Sequence, residues 1–182
     1  MHHLSFDTRV GCPTKPGELT NIDVCGPRPE PSVSGKRYFV DFKDNFSKYR
    51  SVYFLKEKSE VKEKLEQFLA EVNVAGHIVK ELLTDGSKDF NNVAVQNITR
   101  KAGLQHRLSM PYTRQQNGAG KQDNRTLVET ETTMLHAKNL QEKLWDEAVN
   151  TATYISNRTE PTPQQASHLM KFGMGKQHTL II

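Results

Sequence analysis

Cysteine is nearly absent from this chain of 182 residues: Cys12 and Cys25 are the only two, and they form no Cys-x-x-Cys pair. That usage argues against a disulfide scaffold or a zinc module and fits reduced thiols of an intracellular protein. Long apolar runs are missing as well. Nothing approaches the roughly 18 consecutive apolar residues of a membrane span, so no membrane partner is expected. The start, Met1-His2-His3-Leu4, has neither a charged leader nor an apolar signal core. Hydrophobic residues make up only 35% of the chain, and the mean hydropathy is −0.68. That leaves little apolar surplus for one domain of ordinary size. The seven histidines are scattered, His77, His106 and His136 among them, and form no metal-ligand pattern. There is no internal repeat and no basic import signal.

What the chain does have is a local excess of positive charge. The net charge is +4 and the isoelectric point about 9.0. Between Arg100 and Arg125 stand six basic residues (Arg100, Lys101, Arg107, Arg114, Lys121 and Arg125) and one acid, Asp123, so that window carries +5 and the rest of the chain −1. A basic stripe of this kind suits a phosphate backbone, the main source of non-specific nucleic-acid affinity. A solvated surface that happens to be basic has the same composition, and charge by itself leaves both readings open.

Residues 1–18 are polar and rich in Pro and Gly, which predicts an arm without a core. Leu19 to Cys25 reads as a strand ending at Gly26-Pro27. Arg37 to Lys43 and Tyr49 to Leu55 are runs of Tyr, Phe and Val joined by a turn at Asp44-Asn45-Phe46-Ser47. Ser59 is the expected N-cap of a helix with Glu60 in its first turn. Val61, Leu65, Phe68, Leu69 and Val72 then form one apolar stripe, and Gly76 ends it. Ile78 to Leu83 is a short strand delivering Asp85 at its C-terminal end. Asn91 to Lys101 predicts a helix closed by Gly103, and Leu104 to Leu108 a fifth strand. Ser109 to Gly118 reads as an irregular polar loop, followed by helices from about Ala119 to Lys138 and from Leu140 to Asn157. The last of these carries Leu144, Trp145, Ala148, Ala152 and Ile155 on one face, which makes Trp145 core rather than a stacking platform. The expected organisation is a domain over 19–160 with an irregular tail over 161–182.

Asp23 lies in Ile22-Asp23-Val24-Cys25-Gly26-Pro27, 62 positions before Asp85, and 35 residues separate Asp85 from Lys121. Further blocks occur in order: Gly35-Lys36-Arg37-Tyr38-Phe39, Phe46-Ser47-Lys48-Tyr49, Val52-Tyr53-Phe54 and Pro111-Tyr112-Thr113. After them come Gln115-Gln116-Asn117-Gly118, Asn124-Arg125-Thr126-Leu127, Leu144-Trp145 and Asn157-Arg158-Thr159. From about Pro16 to about Gly175 the chain resembles the catalytic core of retroviral and retrotransposon integrases, most of all those of copia-type elements. The resemblance implies an α/β, ribonuclease-H-like fold: a five-stranded mixed sheet flanked by helices in the order βββαβαβαα.

In that family two aspartates and a glutamate hold Mg²⁺ or Mn²⁺ ions, and the resemblance assigns the metal-holding, catalytic positions to Asp23, Asp85 and residue 121. Here residue 121 is Lys, which has three donors and no acceptor and cannot ligate a cation while protonated. The change from Glu also moves the local charge by two units. The implied metal binding is therefore weak, single-site or absent. Asp123 stands about 200° around a helix from residue 121 and so faces away, unless the turn beside Gly118 and Gly120 is distorted. Asp44 and Asp89 do not match the catalytic positions. A structural expectation follows: Lys121 pairs with Asp23 and Asp85 in place of the missing cations. Other departures cluster nearby, among them Asn21 where the family often has His, Asn45 for Asp, Ser87 for Gly and Arg114 for Pro.

Arg114, Gln115, Gln116, Asn117, Lys121 and Arg125 form a cluster of donors which the resemblance places against DNA; a solvated polar loop is the plain alternative. The reading that results is an integrase-core-like domain bound non-specifically to DNA phosphates without strand transfer, nuclear by resemblance only. Two others stand beside it: a residually active polynucleotidyl transferase, and a homodimerisation module served by late helices that carry Trp145 and Ala148.

Overall fold

The computed structural model describes residues 13–85, 87, 90, 92–108 and 114–159, with side chains in the last segment from 124 onward. Residues 1–12 of the expected arm over 1–18, the tail over 161–182 and the segment 109–113 lie outside the described residues. Among the described residues five strands and four α-helices follow the expected order. They are β1 (Thr20–Cys25), β2 (Tyr38–Asp44), β3 (Arg50–Leu55), α1 (Val61–Val74), β4 (Glu81–Thr84), α2 (Val93–Lys101), β5 (Gln105–Leu108), α3 (Arg114–Ala137) and α4 (Trp145–Thr159). The sheet runs β3-β2-β1-β4-β5. Its first three strands form an antiparallel meander, and β4 and β5 continue it in parallel with β1.

Side-chain alternation along each strand divides the core into two layers. On one face Ile22, Val40, Phe42 and Leu55 pack against Val61, Leu65 and Phe68 of α1 and Val95 of α2. There the Phe42 and Phe68 rings stack with centroids 4.4 Å apart. On the other face Phe39 packs with Leu135 of α3 and Trp145, Ala148 and Val149 of α4. The α1 stripe forms as its spacing predicts: Val61, Leu65 and Phe68 are buried, with Leu69 and Val72 packed at the margin. Trp145 is core, with 1% of its surface exposed. Its Nε1 donates to the Glu30 carbonyl at 3.1 Å, and the Arg28 guanidinium lies 5.4 Å over its ring. Trp145 and Ala148 are both buried in the protein's own core.

Several boundaries differ from expectation for identifiable reasons. Ser59 does not cap α1; its hydroxyl donates to Glu57. A 3₁₀ turn over Lys58–Glu60 leads into the helix, and the Glu60 N–H is satisfied by the Glu57 carbonyl at 3.1 Å, so no side-chain cap is needed there. Gly76 does end the helix, at φ +80°, with the His77 N–H returning to the Val72 carbonyl at 3.0 Å. β4 begins at Glu81 rather than Ile78, because the Lys80 N–H is taken by the Gly17 carbonyl at 2.8 Å. Gly17 is the point where the arm meets the body: its N–H donates to Asp44 Oδ1 at 2.7 Å, and a Cβ there would meet the Ile78 carbonyl oxygen at 2.3 Å. α4 begins at Trp145, not Leu140, after a 3₁₀ turn over Glu142–Leu144. Leu140 and Ile155 are 50% and 40% exposed, so Ile155 drops out of the expected apolar face.

The largest departure is α3. It starts at Arg114, five residues before the expected Ala119, and takes in Gly118 and Gly120. Each glycine costs a helix about 1 kcal/mol relative to alanine. A helix of 24 residues, anchored by buried Leu127, Glu131 and Leu135, absorbs that cost. Glu131 is buried and paired with Arg28 at 2.5 Å, and burial pushes its carboxyl above the usual carboxylate range despite that partner.

Candidate metal and nucleic-acid site

Asp23 is the fourth residue of β1, and Asp85 directly follows the last residue of β4. The parallel register pairs Thr20 with Leu82, Asn21 with Leu83 and Ile22 with Thr84. Asp23 and Asp85 each follow directly on the last paired rung, Ile22–Thr84, of strands that lie about 4.8 Å apart. Ile22 and Thr84 point into the α1 layer and are buried at 3% and 2% exposure. Alternation therefore sends both aspartates to the opposite face, toward α3.

Each carboxylate is already held. Asn124 of α3 donates from Nδ2 to Asp23 Oδ2 at 2.7 Å, and the Val24 N–H lies 2.9 Å from Asp23 Oδ1. Asp85 Oδ1 accepts from the Ser87 N–H at 3.2 Å, closing a local turn. Asn124 is 7% exposed and ties α3 to the end of β1. Position 121 lies one turn earlier on the same helix, the spacing at which residues share a face. The side chains of Arg114, Gln115, Gln116, Asn117, Lys121 and Asp123 lie outside the described residues, and so does the expected pairing of Lys121 with the aspartates. Their backbone does not: Arg114 to Asn117 form the first turn of α3 rather than a loop. Arg125 is exposed, and its Nε donates to Glu129 Oε1 at 2.7 Å, one helical turn on. A pair this open to water is weak and easily exchanged.

The neighbouring acids have other duties. Asp44 holds the β2–β3 turn, its Oδ2 accepting from the Ser47 N–H at 2.6 Å; Asp89 lies outside the described residues. His106 bonds Thr84 across β4 and β5 at 2.9 Å, and burial pulls its pKa below the ordinary value. Burial likewise pushes up the Cys25 thiol, which is free.

Two features went unread in the sequence. One is the tie from Asn124 to Asp23, a role that the block Asn124-Arg125-Thr126-Leu127 did not reveal. The other is a buried ion pair on the Asp23 face, Arg50 Nη1 to Asp41 Oδ2 at 2.8 Å, with side-chain exposures of 1% and 5%. Its signal was the alternation in Tyr38-Phe39-Val40-Asp41-Phe42-Lys43, which puts Asp41 and Lys43 on a face that Phe39 marks as inward. Arg50 is fixed in turn: its N–H donates to Asn157 Oδ1 at 2.8 Å, and Asn157 Nδ2 donates to its carbonyl at 2.9 Å.

Two divalent ions bound side by side need several oxygen donors in fixed octahedral geometry. Among the described residues no group of three His, Cys, Asp or Glu stands close enough together to hold a metal ion. Lysine at position 121 adds no acceptor. Among the described residues the donor set does not complete a two-ion arrangement.

No family model matches the chain. It is 34% identical over 164 residues to the retrovirus-related Pol polyprotein from transposon TNT 1-94 of Nicotiana tabacum, covering 90% of this chain and 12% of the relative. It is 31% identical over 163 residues to that from transposon RE2 of Arabidopsis thaliana, covering 89% and 11%. The chain thus spans about a tenth of the length of these curated relatives. Among solved structures it superposes on the HTLV-2 integrase catalytic core domain in complex with magnesium, with a TM-score of 0.60 and 17% identity over 87% of this chain and 97% of the other. A simian T-cell lymphotropic virus intasome gives 0.65 and 16%, over 90% of this chain and 56% of that one. At such identities the match speaks for the fold, and the expected ribonuclease-H-like architecture is the one observed.

Proposed function

We propose that this chain, an integrase catalytic-core-like domain homologous to copia-type retrotransposon Pol polyproteins, binds DNA through its phosphates and does not carry out strand transfer. One observation carries the reading. α3 reaches the Asp23–Asp85 pair through Asn124, and one turn earlier it presents lysine where a third acidic donor is needed. The scaffold that brings a helix to two aspartates is kept, while the residue that completes a metal site is a cation.

The binding half draws on α3. Arg114, Gln115, Gln116 and Asn117 fall in its first turn, where free backbone N–H groups and the helix dipole favour an anion. Lys121 and Arg125 extend the positive charge along the same helix. Such contacts fix a protein on the phosphate backbone without reading bases, so binding is sequence-tolerant.

Salt titration tests this directly. Three cations, Arg114, Lys121 and Arg125, neutralising three phosphates give a slope of about −2.7 in log affinity against log salt, or roughly a 40-fold loss between 50 and 200 mM. Fluorescence anisotropy with a random-sequence duplex should show that slope, reduced by about one unit in Arg114→Ala. Binding indifferent to salt, or no binding at 50 mM, would count against the proposal.

A further inference from the structure

The sheet face that carries Asp23 holds more charge than the aspartate pair itself. In the antiparallel register, Asp41 of β2 stands directly opposite Asp23, and Lys43 opposite Asn21. On β3, Val52 and Arg50 stand opposite Asp41 and Lys43. One rung across the sheet therefore carries Asp85, Asp23 and Asp41, and the next carries Asn21, Lys43 and Arg50. Three carboxylates face two cations, and Asp41, Lys43 and Arg50 are buried at 4%, 6% and 2% exposure.

Directly opposed residues on antiparallel strands hold their Cβ atoms about 4.5–5.5 Å apart, where like charges destabilise the sheet. Buried charge persists only when it is paired. Arg50 covers one oxygen of Asp41, at 2.8 Å. Lys43 sits two residues from Asp41 on the same strand and diagonally across from Asp23. Diagonal neighbours are about 7–8 Å apart, a gap that a lysine's flexible four-carbon stem closes.

We infer that Lys43 is a built-in counter-ion of Asp23. Its ammonium supplies, from within the protein, the positive charge that a divalent cation would otherwise bring to this carboxylate. The sheet face is electrostatically closed without metal, and a cation arriving at Asp23 and Asp85 has to overcome Lys43. Lys43 is a positioning residue, acting through Asp23. The inference rests on the reading of Asp23 as a remnant metal ligand, and is independent of DNA binding through α3.

The test is Mn²⁺ affinity, read from the free-ion electron paramagnetic resonance signal, in the unmutated chain and in Lys43→Met. Lys43→Met is expected to bind Mn²⁺ at least tenfold more tightly, and Mn²⁺ is expected to raise its melting temperature more than that of the unmutated chain. Equal affinities and equal thermal responses overturn the inference. If Lys43→Met does not fold, Asp23→Asn is added to it: recovery of folding supports the pairing, and failure to recover overturns it. Salt-dependent duplex binding, measured on the same samples, separates the two ideas. It persists if only the counter-ion is wrong and is absent if the DNA reading is wrong.

Discussion

Lys121→Glu is expected to raise Mn²⁺ affinity by about 100-fold or more, equivalent to about 2.7 kcal/mol. Two effects act in the same direction. A cation without a free electron pair is removed, and an anionic oxygen donor takes its place. Between unit charges 4 Å apart, the Coulomb energy is about 4 kcal/mol at an effective dielectric of 20, and it doubles against a divalent ion. Solvent screening cuts that figure heavily, yet a fraction of it is enough for two orders of magnitude. The geometry on which the gain depends is in place: Asn124 ties α3 to Asp23 at 2.7 Å, so position 121 is carried by a helix already docked at the pair. Isothermal titration with Mn²⁺ measures the change. An unaltered affinity would mean that α3 does not present position 121 to the aspartates.

The second large effect is on stability. Arg50→Met is expected to cost about 3–5 kcal/mol, because it leaves the buried Asp41 carboxylate without its guanidinium partner. Asp41→Asn combined with Arg50→Met should recover most of that loss, since replacing both members of a buried pair removes the unpaired charge. The cycle is read from urea unfolding midpoints at constant m-value. A loss below about 1 kcal/mol in the single variant would mean that water reaches Asp41 and the pair is not a buried one. The main-chain bonds from Asn157 to Arg50 survive the substitution, so edge strand β3 keeps its tie to α4. The measured loss therefore reports the charge rather than the strand.

The parts of this fold legible from sequence are those governed by local periodicity. The Val61–Val72 stripe, the aromatic runs of β2 and β3 and the glycine stop at Gly76 each depend on residues within a few positions of one another. The aspartate pair was legible through resemblance, and the register that brings it together is a property of the sheet. What escaped depended on distant partners. Ser59 has the right chemistry for a cap, but its hydroxyl is turned to the Glu57 carboxylate instead. Gly118 and Gly120 have low helix propensity, yet the packing of Leu127 and Leu135 further along α3 outweighs it. Asn124, Asp41 and Arg50 are ordinary polar residues until the fold sets them against partners 101 and 9 positions away. Lys43 is the same case: its burial follows from its place on β2, the strand flanked by both β1 and β3 and covered on both faces.

The sheet still aligns Asp23 with Asp85, and α3 is still pinned by Asn124. The sheet face that carries Asp23 also carries the cations Lys43 and Arg50. On the proposed reading these cations, with Lys121 of α3, favour a polyanion at the surface over a divalent ion in the site.

The most direct test of that account sets duplex binding against strand transfer in the unmutated chain, with Mg²⁺ and with Mn²⁺, on short duplexes. The account predicts salt-sensitive duplex binding with no joined product under either metal. Joined product formed by the unmutated chain would contradict it, because a third metal donor other than residue 121 would then have to complete the site.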